Sequence, residues 1–478
     1  MILATRFDPR LLAAAIALLG AAFWVPAPLR IPLLAIAIAT AVLAPLPLGT
    51  RGVVFAVMTG LATGIAAINL FAVGIFQGPL TREFGWSQAQ YTLVTPIGTL
   101  ITVVTSLWIG RLFDRRGVRR LALISIVLLA LVLMSLYFLD NNLLHFYAVF
   151  AIVPIIGAGT SSIAYSRVIA QWFDRRRGQA FGASLAGIGI GGAVLSLTTQ
   201  SLINQFGWRL AYVGLAALSL LVTLPIIFWQ LKDTPTEMGL GRDGEPLQTP
   251  PSVAAQPAKA SRAAIVTGYS AAESRRLPRF WRMLLAFLLM AFAIGGVMLQ
   301  LVPILIARGI DKNQAAATIG MLGLALIVGR AFAGFLMDRV FAPHVAAAII
   351  VFPLIGVSLL ASGAVGWQAQ VAAICVGLAA GAELDVIAVL ITRYFGTRAY
   401  AENYGWQYAA WTLGSGTAPL LTAFVYDRLR THTPILWVYV GLFALSALLV
   451  ARLGSYPELN NVSADVAPST GNGDRGAR

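Results

Sequence analysis

Charged residues are scarce in this chain of 478 residues: Asp, Glu, Lys and Arg make up 11% of it, whereas hydrophobic residues make up 58%. Soluble proteins carry roughly 25% charged and roughly 45 to 50% apolar residues. The mean hydropathy of +0.81 likewise leaves too little polar surface for a protein dissolved in water. A set of soluble domains is therefore excluded, and the composition predicts an integral membrane protein.

Cysteine and histidine are almost absent. Cys375 is the single cysteine, and His145, His344 and His432 are the three histidines. One cysteine excludes a disulfide framework, and scattered histidines offer no metal-ligand spacing. We therefore expect neither a metal nor another cofactor. A polytopic enzyme or a signalling receptor has no support either, because there is no nucleophile-and-base motif and no folded domain outside the membrane.

Hydrophobic runs long enough to cross a bilayer follow one another along the chain. A membrane-spanning helix needs about 20 predominantly apolar residues. Runs without Asp, Glu, Lys or Arg cover residues 52–80, 84–110, 121–139, 143–166, 210–231 and 283–307. Only helices and closed barrels can cross lipid, and these runs lack the alternation of barrel strands. We therefore predict an all-α integral membrane protein, a bundle of twelve transmembrane helices after Gly52.

One long polar stretch, residues 232–279, divides the predicted helices into two groups of six. It is rich in Pro among Ser, Ala, Gln and charged residues, and it cannot bury a core. We predict a cytoplasmic linker there, between a six-helix half at 52–231 and a second half at 280–454. The cytoplasmic tail, 455–478, is polar and rich in Gly and Asn, which predicts disorder.

Two shorter apolar runs, residues 11–26 and 31–48, lie within the first 51 residues. A signal peptide followed by an anchor is one interpretation, but no small-residue cleavage site precedes a soluble domain. An extra transmembrane hairpin at 1–51 is the favoured interpretation and gives fourteen helices in total. An even number of added helices also leaves the N-terminus, with Arg6 and Arg10, in the cytoplasm.

Basic residues exceed acidic residues by 15, which in a soluble protein would indicate nucleic-acid binding. With the linker in the cytoplasm, 25 of the 34 Lys and Arg residues fall in cytoplasmic loops and tails, 7 in outer loops and 2 at membrane depth. This asymmetry is the positive-inside rule, so the charge orients the protein and predicts no nucleic-acid partner. The use of 31 Arg and only 3 Lys residues indicates a bacterial inner (plasma) membrane, with both termini cytoplasmic.

The second half repeats the register of the first. Six identical residue pairs stand 224 positions apart: Pro79 and Pro303, Gly85 and Gly309, Gly110 and Gly334, Leu112 and Leu336, Asp114 and Asp338, Arg115 and Arg339. Trp172-Phe173 is answered by Tyr394-Phe395 at a spacing of 222. Chance does not hold a register from one helix to the loop after the next, and transporters are commonly built from duplicated halves. The sequence therefore predicts two similar halves.

A short basic loop follows the second predicted helix, with the sequence Gly110-Arg-Leu-Phe-Asp-Arg-Arg-Gly-Val-Arg-Arg120. Arginine accumulates in any cytoplasmic loop, but that does not explain the Gly and Asp positions or the partial copy Gly334-Phe-Leu-Met-Asp338-Arg339. Together the two stretches resemble the loop signature of the major facilitator superfamily. The resemblance implies the major facilitator fold and a gate that latches the halves when the outside is open. The residues it implies for this gate are Gly110, Asp114, Arg115, Gly117, Gly334, Asp338 and Arg339.

Further stretches resemble the monocarboxylate transporter family and its bacterial relatives, which include oxalate and formate exchangers. They are Glu83-Phe-Gly-Trp-Ser87, Val168-Ile-Ala-Gln-Trp-Phe-Asp-Arg-Arg-Arg-Gly178, and Gly381-Ala-Glu-Leu-Asp385 leading to Arg393-Tyr-Phe-Gly396. This resemblance implies an organic anion, usually a carboxylate, moved with a proton or in exchange. Arg330 matches the arginine of the family's eighth helix. Gly78 and Leu326 stand where the family commonly has a lysine and an acid, so its proton-coupling pair is missing.

Four ionisable residues lie at membrane depth, where a charge costs roughly 2.5 to 3.5 kcal/mol unless it is paired or hydrated. Arg330 and Arg167 are candidate substrate ligands, because a guanidinium grips a carboxylate at two points; a snorkelling side chain or a structural ion pair is the alternative. Glu383 and Asp385 are two residues apart, about 200° around a helix, so they cannot face one cavity. We expect one to be a proton site and the other to pair structurally.

Other polar residues lie on the helices that line the cavity in the resembled superfamily. Each is a candidate for substrate contact or, equally, for an interhelical hydrogen bond: Asn69, Gln77, Tyr165, Gln300, Trp406 and Gln407. The stretch Gly187-Ile-Gly-Ile-Gly-Gly192 has the spacing of a nucleotide fingerprint but follows no predicted strand. Close helix packing through small residues is its interpretation.

The sequence thus predicts a secondary active transporter that carries a small organic anion, as a proton symporter or an anion exchanger. Its partners would be that anion, protons and the lipid bilayer, and we expect it to work as a monomer. The alternative is a proton-driven exporter of hydrophobic or cationic drugs. In that case Glu383 and Asp385 would form the cation site and Arg330 would be structural.

Overall fold

The computed structural model describes residues 40, 43–68, 73–246, 266–459 and 461–462. The hairpin predicted in residues 1–51 and the tail predicted from 455 lie largely outside these described residues, and Asn69 lies outside them. Most of the described chain is helical. Two short strands, β1 (Val266–Thr267) and β2 (Asn461–Val462), pair antiparallel.

The half before the linker crosses the membrane six times. Its helices are α1 (Leu48–Ala62), α2 (Ile65–Ala67), α3 (Val73–Phe84), α4 (Gln88–Thr92), α5 (Val94–Arg116), α6 (Arg119–Ser135), α7 (Leu143–Ile156), α8 (Ser162–Trp172), α9 (Arg177–Leu218) and α10 (Leu224–Gln230). The first crossing combines α1 to α3, and the fourth combines α7 and α8. The fifth and sixth share α9, a π-helical turn at Ser219–Thr223 and α10.

The fifth and sixth crossings turn back at Gly207. The helical segment Arg177–Gln230 contains 54 residues, which as one rod would measure about 80 Å, far more than a bilayer. Gly207 has φ 81° and ψ 167°, a conformation open to glycine but not to residues with a Cβ. The chain therefore reverses there, and one apolar segment supplies two crossings.

The half after the linker also crosses six times. It contains α11 (Ala271–Arg276), α12 (Pro278–Met298), α13 (Leu301–Ile306), α14 (Lys312–Met337), α15 (Ala342–Ala361), α16 (Trp367–Phe395), α17 (Tyr400–Leu429) and α18 (Thr433–Ala451). Ten described segments are long and apolar enough to cross a membrane, and one of them is the reversed segment with two crossings. The more polar α17, which packs against α5 and α12, completes twelve crossings in the described chain.

Small residues bring the helices into close contact. A Cβ on Gly187 or Gly191 of α9 would collide with the backbone of α1 at Met58 and Ala62. In the second half a Cβ on Gly381 of α16 would collide with the backbone of α14. The glycine-rich stretch of α9 is thus a helix-packing surface, as the sequence interpretation held.

The described parts of the linker lie on the membrane side where α5, α8, α10, α14 and α16 end, which we call the linker side. Asp233 accepts hydrogen bonds from the backbone N–H groups of Val118 and Arg119, at 2.7 and 3.1 Å, where α6 begins. Asp243 accepts from the N–H groups of residues 174 to 176, just before α9. Both carboxylates sit on helix N-termini, where a negative charge is stabilised. The first fifteen linker residues are therefore docked on the first half.

The predicted disorder of the tail does not extend to its first residues. The Tyr456 hydroxyl accepts a hydrogen bond from the Ala342 N–H at 3.0 Å, and its ring lies 4.6 Å from that of Phe341. Ser455 accepts a hydrogen bond from Arg279 through its carbonyl. An aromatic side chain among Gly, Asn and Ser thus anchors the start of the tail to the second half.

Candidate functional site

Helix breaks mark the site in the first half. Extended backbone at Gly64 and at Ser161 interrupts the first and fourth crossings, and the Ile65 N–H freed by the first break donates to the Thr160 hydroxyl at 3.1 Å. Irregular backbone at membrane depth is tolerated only inside protein or beside a water-filled cavity. The two breaks adjoin a cavity of about 60 Å³.

Hydroxyl groups supply the polar wall of this cavity. They belong to Thr102, Thr105 and Ser106 of α5, Ser161 at the break, and Tyr408 of α17 in the other half. Sequence analysis missed all five. The spacing of the three α5 residues, i, i+3 and i+4, places them on one helix face and was the signal that could have found them.

Arg330 contacts helices of both halves, deeper in the membrane than the linker side. It lies on α14, is 7% exposed, and donates from Nε to the Gly381 carbonyl at 2.9 Å. The same Nε is 3.5 Å from Asp385 Oδ2, while Nη1 donates to the Leu185 carbonyl on α9 of the first half. A guanidinium held by α9, α14 and α16 therefore forms the charged centre of the interface.

The two acids of α16 face different neighbours. Asp385 faces Arg330, whereas Glu383 Oε2 accepts a hydrogen bond from Trp411 Nε1 of α17 at 2.6 Å. Both carboxyl groups are buried, and in the described part of the chain Glu383 Oε1 and both Asp385 oxygens have no hydrogen-bond partner. Side chains two residues apart on a helix point in different directions, and the expectation that these two cannot face one cavity stays a prediction. Within the residues that the structure describes, Glu383 makes no ion pair, whereas Asp385 lies beside a guanidinium.

Aromatic rings on one face of α17 run from the linker side to Glu383. The rings of Tyr400, Tyr404, Tyr408 and Trp411 stack at centroid distances of 5.8, 6.2 and 5.5 Å. Tyr400 and Tyr404 are fully buried, and their hydroxyls have no partner among the described residues. The row includes Tyr408, which lines the hydroxyl-lined cavity, and begins at Tyr400, where α17 starts on the linker side.

Two aspartates hold the halves together on the linker side. Asp114, at the end of α5, accepts from the N–H groups of Ala401 and Glu402 at 3.2 and 2.9 Å, where α17 begins. Asp338, just after α14, accepts from the N–H groups of Gly178 and Gln179 at 2.7 and 3.0 Å, where α9 begins. The residues of the 224-residue repeat thus make reciprocal contacts, which we call the linker-side clamp.

The glycines of the repeated motif permit this close approach. A Cβ on Gly110 would collide with the Ala401 backbone, and a Cβ on Gly334 would collide with the Gly178 backbone. Gly117 ends α5 with φ 79°, and a Cβ there would meet Asp233. The remaining gate candidates, Arg115 and Arg339, are exposed, and Arg339 stacks on Phe335 at 3.5 Å.

Asp338 lies outside the membrane-spanning part of its helix, and burial raises the pKa of its carboxyl to about 6. The N–H groups of Gln179 and Gly178 and the charge of Arg393 act in the opposite direction and lower the pKa, whereas Asp243 raises it. The clamp therefore contains a carboxyl group that titrates close to neutral pH.

Glu402 makes a further link that the sequence did not reveal. Its carboxylate accepts from Arg111 of α5 and from Arg275 of α11, each at 2.9 Å. It is 7% exposed and stands in the first turn of α17, where an acid is favoured. The two arginines approach it from different halves, so Glu402 bridges them beside Asp114.

Several predicted substrate ligands lie away from the cavity. Arg167 donates to Asp114 Oδ1 at 2.9 Å and so belongs to the clamp. Trp406 packs beside Trp281 on the linker side. Weak contacts at 3.4 Å join Gln407 to the Phe280 carbonyl and Gln300 to the Pro419 carbonyl, within the second half.

Two further predicted ligands lie on the fourth and first crossings. Tyr165 is buried against Gly60, its hydroxyl without a hydrogen-bond partner in the ranges that the structure describes, and Gln77 is half-buried on α3. The described residues contain no group of three His, Cys, Asp or Glu side chains placed to hold a metal ion.

Two six-helix halves around a polar interface match a known family. The model described as the Major Facilitator Superfamily matches residues 59–419. The chain belongs to this superfamily. It is therefore a multi-pass membrane transporter and not an enzyme. The predicted family and the major facilitator fold are confirmed, whereas the extra hairpin and the total of fourteen helices stay predictions.

Individual members of the superfamily resemble the chain over most of its length. It is 24% identical over 359 residues to the "Uncharacterized MFS-type transporter YhjX" of Escherichia coli (strain K12), covering 74% of this chain and 83% of that protein. It is 24% identical over 395 residues to "Monocarboxylate transporter 11" of Mus musculus, covering 80% and 83%. A crystal structure of the transporter FucP in the outward conformation shares the fold, with a TM-score of 0.64, 15% identity, and coverage of 84% of this chain and 98% of that one.

Proposed function

We propose that this transporter carries a small organic anion, a carboxylate, by alternating access, as a proton symporter or an anion exchanger. The observation that carries the proposal is the buried Arg330 at the interface of the halves, with Asp385 as its carboxylate partner. A guanidinium stays charged throughout a transport cycle and binds carboxylates at two points. The monocarboxylate transporters among the relatives support the same substrate class.

Arg330 and Asp385 form a contact that a substrate can replace. The separation of 3.5 Å is long for a charge-assisted hydrogen bond, and the Asp385 oxygens accept no hydrogen bond from any residue that the structure describes. A substrate carboxylate that reaches Arg330 takes the place of Asp385, whose charge then needs a proton or a shift away from the guanidinium. In symport, a proton is transported together with the anion. In exchange, transport of a second anion in the opposite direction returns the Arg330–Asp385 pair to its resting state.

The second candidate function is proton-driven export of hydrophobic or cationic compounds. The observation in its favour is Glu383, a buried acid bonded to Trp411 at the end of the aromatic row of α17. A carboxylate beside stacked aromatic rings is suited to an organic cation. In that mechanism Arg330 and Asp385 form a structural pair.

The linker side is the cytoplasmic side in this proposal, because the basic residues of the sequence concentrate there. Both termini then lie in the cytoplasm, and the membrane is a bacterial inner membrane. With the clamp closed on the side taken as cytoplasmic, the described conformation corresponds in this proposal to the one that opens outward. We propose that the transporter works as a monomer, since each half already supplies a complementary surface to the other.

Uptake and counterflow in proteoliposomes test the proposal. Radiolabelled formate, oxalate, lactate and pyruvate are offered with and without a pH gradient, and tetraphenylphosphonium is offered as the organic cation. We expect a carboxylate to be taken up and Arg330→Lys to abolish its uptake. The matched control is Arg308→Lys, since Arg308 also binds backbone carbonyls, at Ala364 and Leu360, but on the opposite side of the membrane. Transport of the cation and of no carboxylate would instead establish the exporter.

A further inference from the structure

A long apolar groove lies on the lipid-facing surface of the first half, between α6 and α10. Its volume is about 560 Å³, and it lies away from the interface between the halves. The described residues that line it are all apolar: Leu123, Ile124, Val127, Leu128, Leu224, Pro225, Phe228 and Trp229. It is therefore a concave surface on the lipid-facing side, separate from the transport path.

The local helix geometry of the sixth crossing accounts for the groove. The π-helical turn at Ser219–Thr223 widens the helix just before α10, and Pro225 at the start of α10 has no N–H to return to the preceding turn. Such features bend a helix. The path of α10 thus changes at the depth where the groove opens against α6.

The end of the groove toward the linker side is basic. The Arg119 guanidinium lies 5.6 Å above the Phe228 ring, which lines the groove, and donates from Nη2 to the Phe228 carbonyl at 2.7 Å. Its Nε is buried and has no hydrogen-bond partner among the described residues. Arg120 is exposed beside it, and Lys232 follows α10. The neighbouring acid, Asp233, is engaged by the N–H groups of Val118 and Arg119.

The spacing from the basic end to the apolar residues matches the depth profile of a phospholipid. Leu123 and Leu128 lie four and nine residues after Arg119 on α6, about 6 and about 14 Å deeper along the helix axis. Positive charge is thus placed at headgroup level, and the apolar groove at acyl-chain level. Exposed Trp229, with 71% of its surface accessible, marks the boundary between the two, where indole rings favour the membrane interface.

We propose that this groove is a binding site for an anionic phospholipid of the linker-side leaflet. One acyl chain occupies the groove between α6 and α10, and the lipid phosphate is held by Arg119 with Arg120 and Lys232 nearby. The charge at the mouth selects anionic over zwitterionic headgroups, since each basic residue near a membrane surface attracts anionic lipid. The apolar lining determines where on the protein the acyl chain binds.

Lipid retention measured by native mass spectrometry tests the site without knowledge of the transported substrate. The full-length protein is equilibrated with phosphatidylglycerol or with phosphatidylcholine of identical acyl chains. Arg119→Gln removes the headgroup charge, and Arg119→Lys keeps it. Ile124→Trp fills the groove, with Ile355→Trp on α15 as its control, because both isoleucines are 46% exposed and Ile355 lines neither cavity.

The wild-type protein should retain phosphatidylglycerol preferentially. Arg119→Gln should lower that affinity roughly fivefold and leave phosphatidylcholine unaffected, while Arg119→Lys keeps most of the preference. Ile124→Trp should reduce retention of the bound lipid, and Ile355→Trp should not. Equal retention of the two lipids by the wild type, or a preference unchanged by Arg119→Gln and Ile124→Trp, overturns the proposal and leaves only annular lipid. If Arg119→Gln fails to fold, the two tryptophan variants and Arg119→Lys decide.

Discussion

Arg330 illustrates how a single buried side chain can serve folding and function together. Its donors reach the Gly381 and Leu185 carbonyls, and its charge meets Asp385, so removing it affects three helices. A structural ion pair and a substrate-binding arginine nevertheless respond differently to substitution. Conservative and paired variants can therefore separate the two roles.

We expect Arg330→Lys to fold but to bind carboxylate at least roughly tenfold more weakly, because an ammonium keeps the charge and loses the two-point grip. Carboxylate affinity and membrane abundance are measured for Arg330→Lys, Arg330→Gln and Arg330→Gln with Asp385→Asn. Restoration of both abundance and uptake by the double change would make the pair structural. Wild-type carboxylate affinity in a well-folded Arg330→Gln protein would contradict the substrate role of Arg330 and favour the exporter function.

Asp338 gives the clamp a dependence on pH. Its pKa is about 6 with the clamp closed, and it returns toward the ordinary 3.8 when the halves separate and the carboxyl meets water. The closed form therefore binds the proton more strongly than the open form does. The equilibrium constant for closure rises as the pH falls through about 6 and decreases as the pH rises, with a total change of up to roughly a hundredfold.

Spin-label distances measure this effect. Labels at Arg120→Cys and Arg398→Cys, both exposed on the linker side of different halves, report separation in a Cys375→Ser background. The short-distance population should grow between about pH 8 and about pH 5. An Asp338→Asn protein should show no such change, and an identical pH response in that variant would refute the assignment.

At the scale of the helices, glycine residues determine how closely α1 and α9 pack. Gly187 and Gly189 are two residues apart on α9, yet a Cβ on Gly187 would strike the Met58 backbone, whereas a Cβ on Gly189 would meet nothing within 4 Å. We expect Gly187→Ala to lower stability by about 1 to 3 kcal/mol, the usual cost of overpacking, as seen in thermal unfolding in detergent. Gly189→Ala is the matched control and should be neutral; equal effects would show that α1 and α9 are not so closely packed.

The clamp connects helix ends of opposite halves, so we expect Asp114→Asn to act on conformational change and not on binding. The amide keeps the size of the side chain but removes the negative charge at the N-terminus of α17. Transport should fall by roughly tenfold or more while substrate affinity stays near that of the wild type. Asp233→Asn is the control, because Asp233 occupies a helix N-terminus within the first half. A large affinity loss with normal turnover in Asp114→Asn would show that Asp114 has another role.

The molecule as a whole begins its twelve-helix core earlier than the internal repeat indicates. The repeat predicts that residues up to about Thr50 are dispensable. The structure moves that limit, because α1 begins at Leu48, Leu46 is buried in the core and the Pro45 carbonyl accepts from Arg176 at 3.0 Å.

We therefore expect a protein lacking residues 1–42 to fold and transport, and one lacking residues 1–50 to lose stability. Membrane abundance, monodispersity and counterflow of the two truncated proteins are compared with those of the full chain. Loss of membrane insertion in the shorter deletion would make the predicted hairpin an integral part of the bundle.

The amino-acid sequence alone determined that this is a helical membrane protein of two similar halves, with the gate motif in place. Lipid imposes length and hydropathy on each helix separately, so these constraints are local and can be recognised along the chain. Charge asymmetry and the 224-residue register are likewise properties of the linear chain. Helix periodicity likewise predicts that Glu383 and Asp385 point in different directions.

Only the tertiary structure decided which polar groups meet. Asp114 contacts Ala401, 287 residues away, and Arg167 joins that contact. For Arg167 the sequence allows either a substrate ligand or a structural ion pair, and the structure shows the ion pair. The hydroxyl groups that line the cavity beside the two helix breaks lie on helices whose apolar runs resemble those of the other membrane helices. A buried polar side chain is compensated by whichever partner the packing of the two halves brings within reach. In a transporter that packing changes between conformations, so spacing along the chain does not determine it.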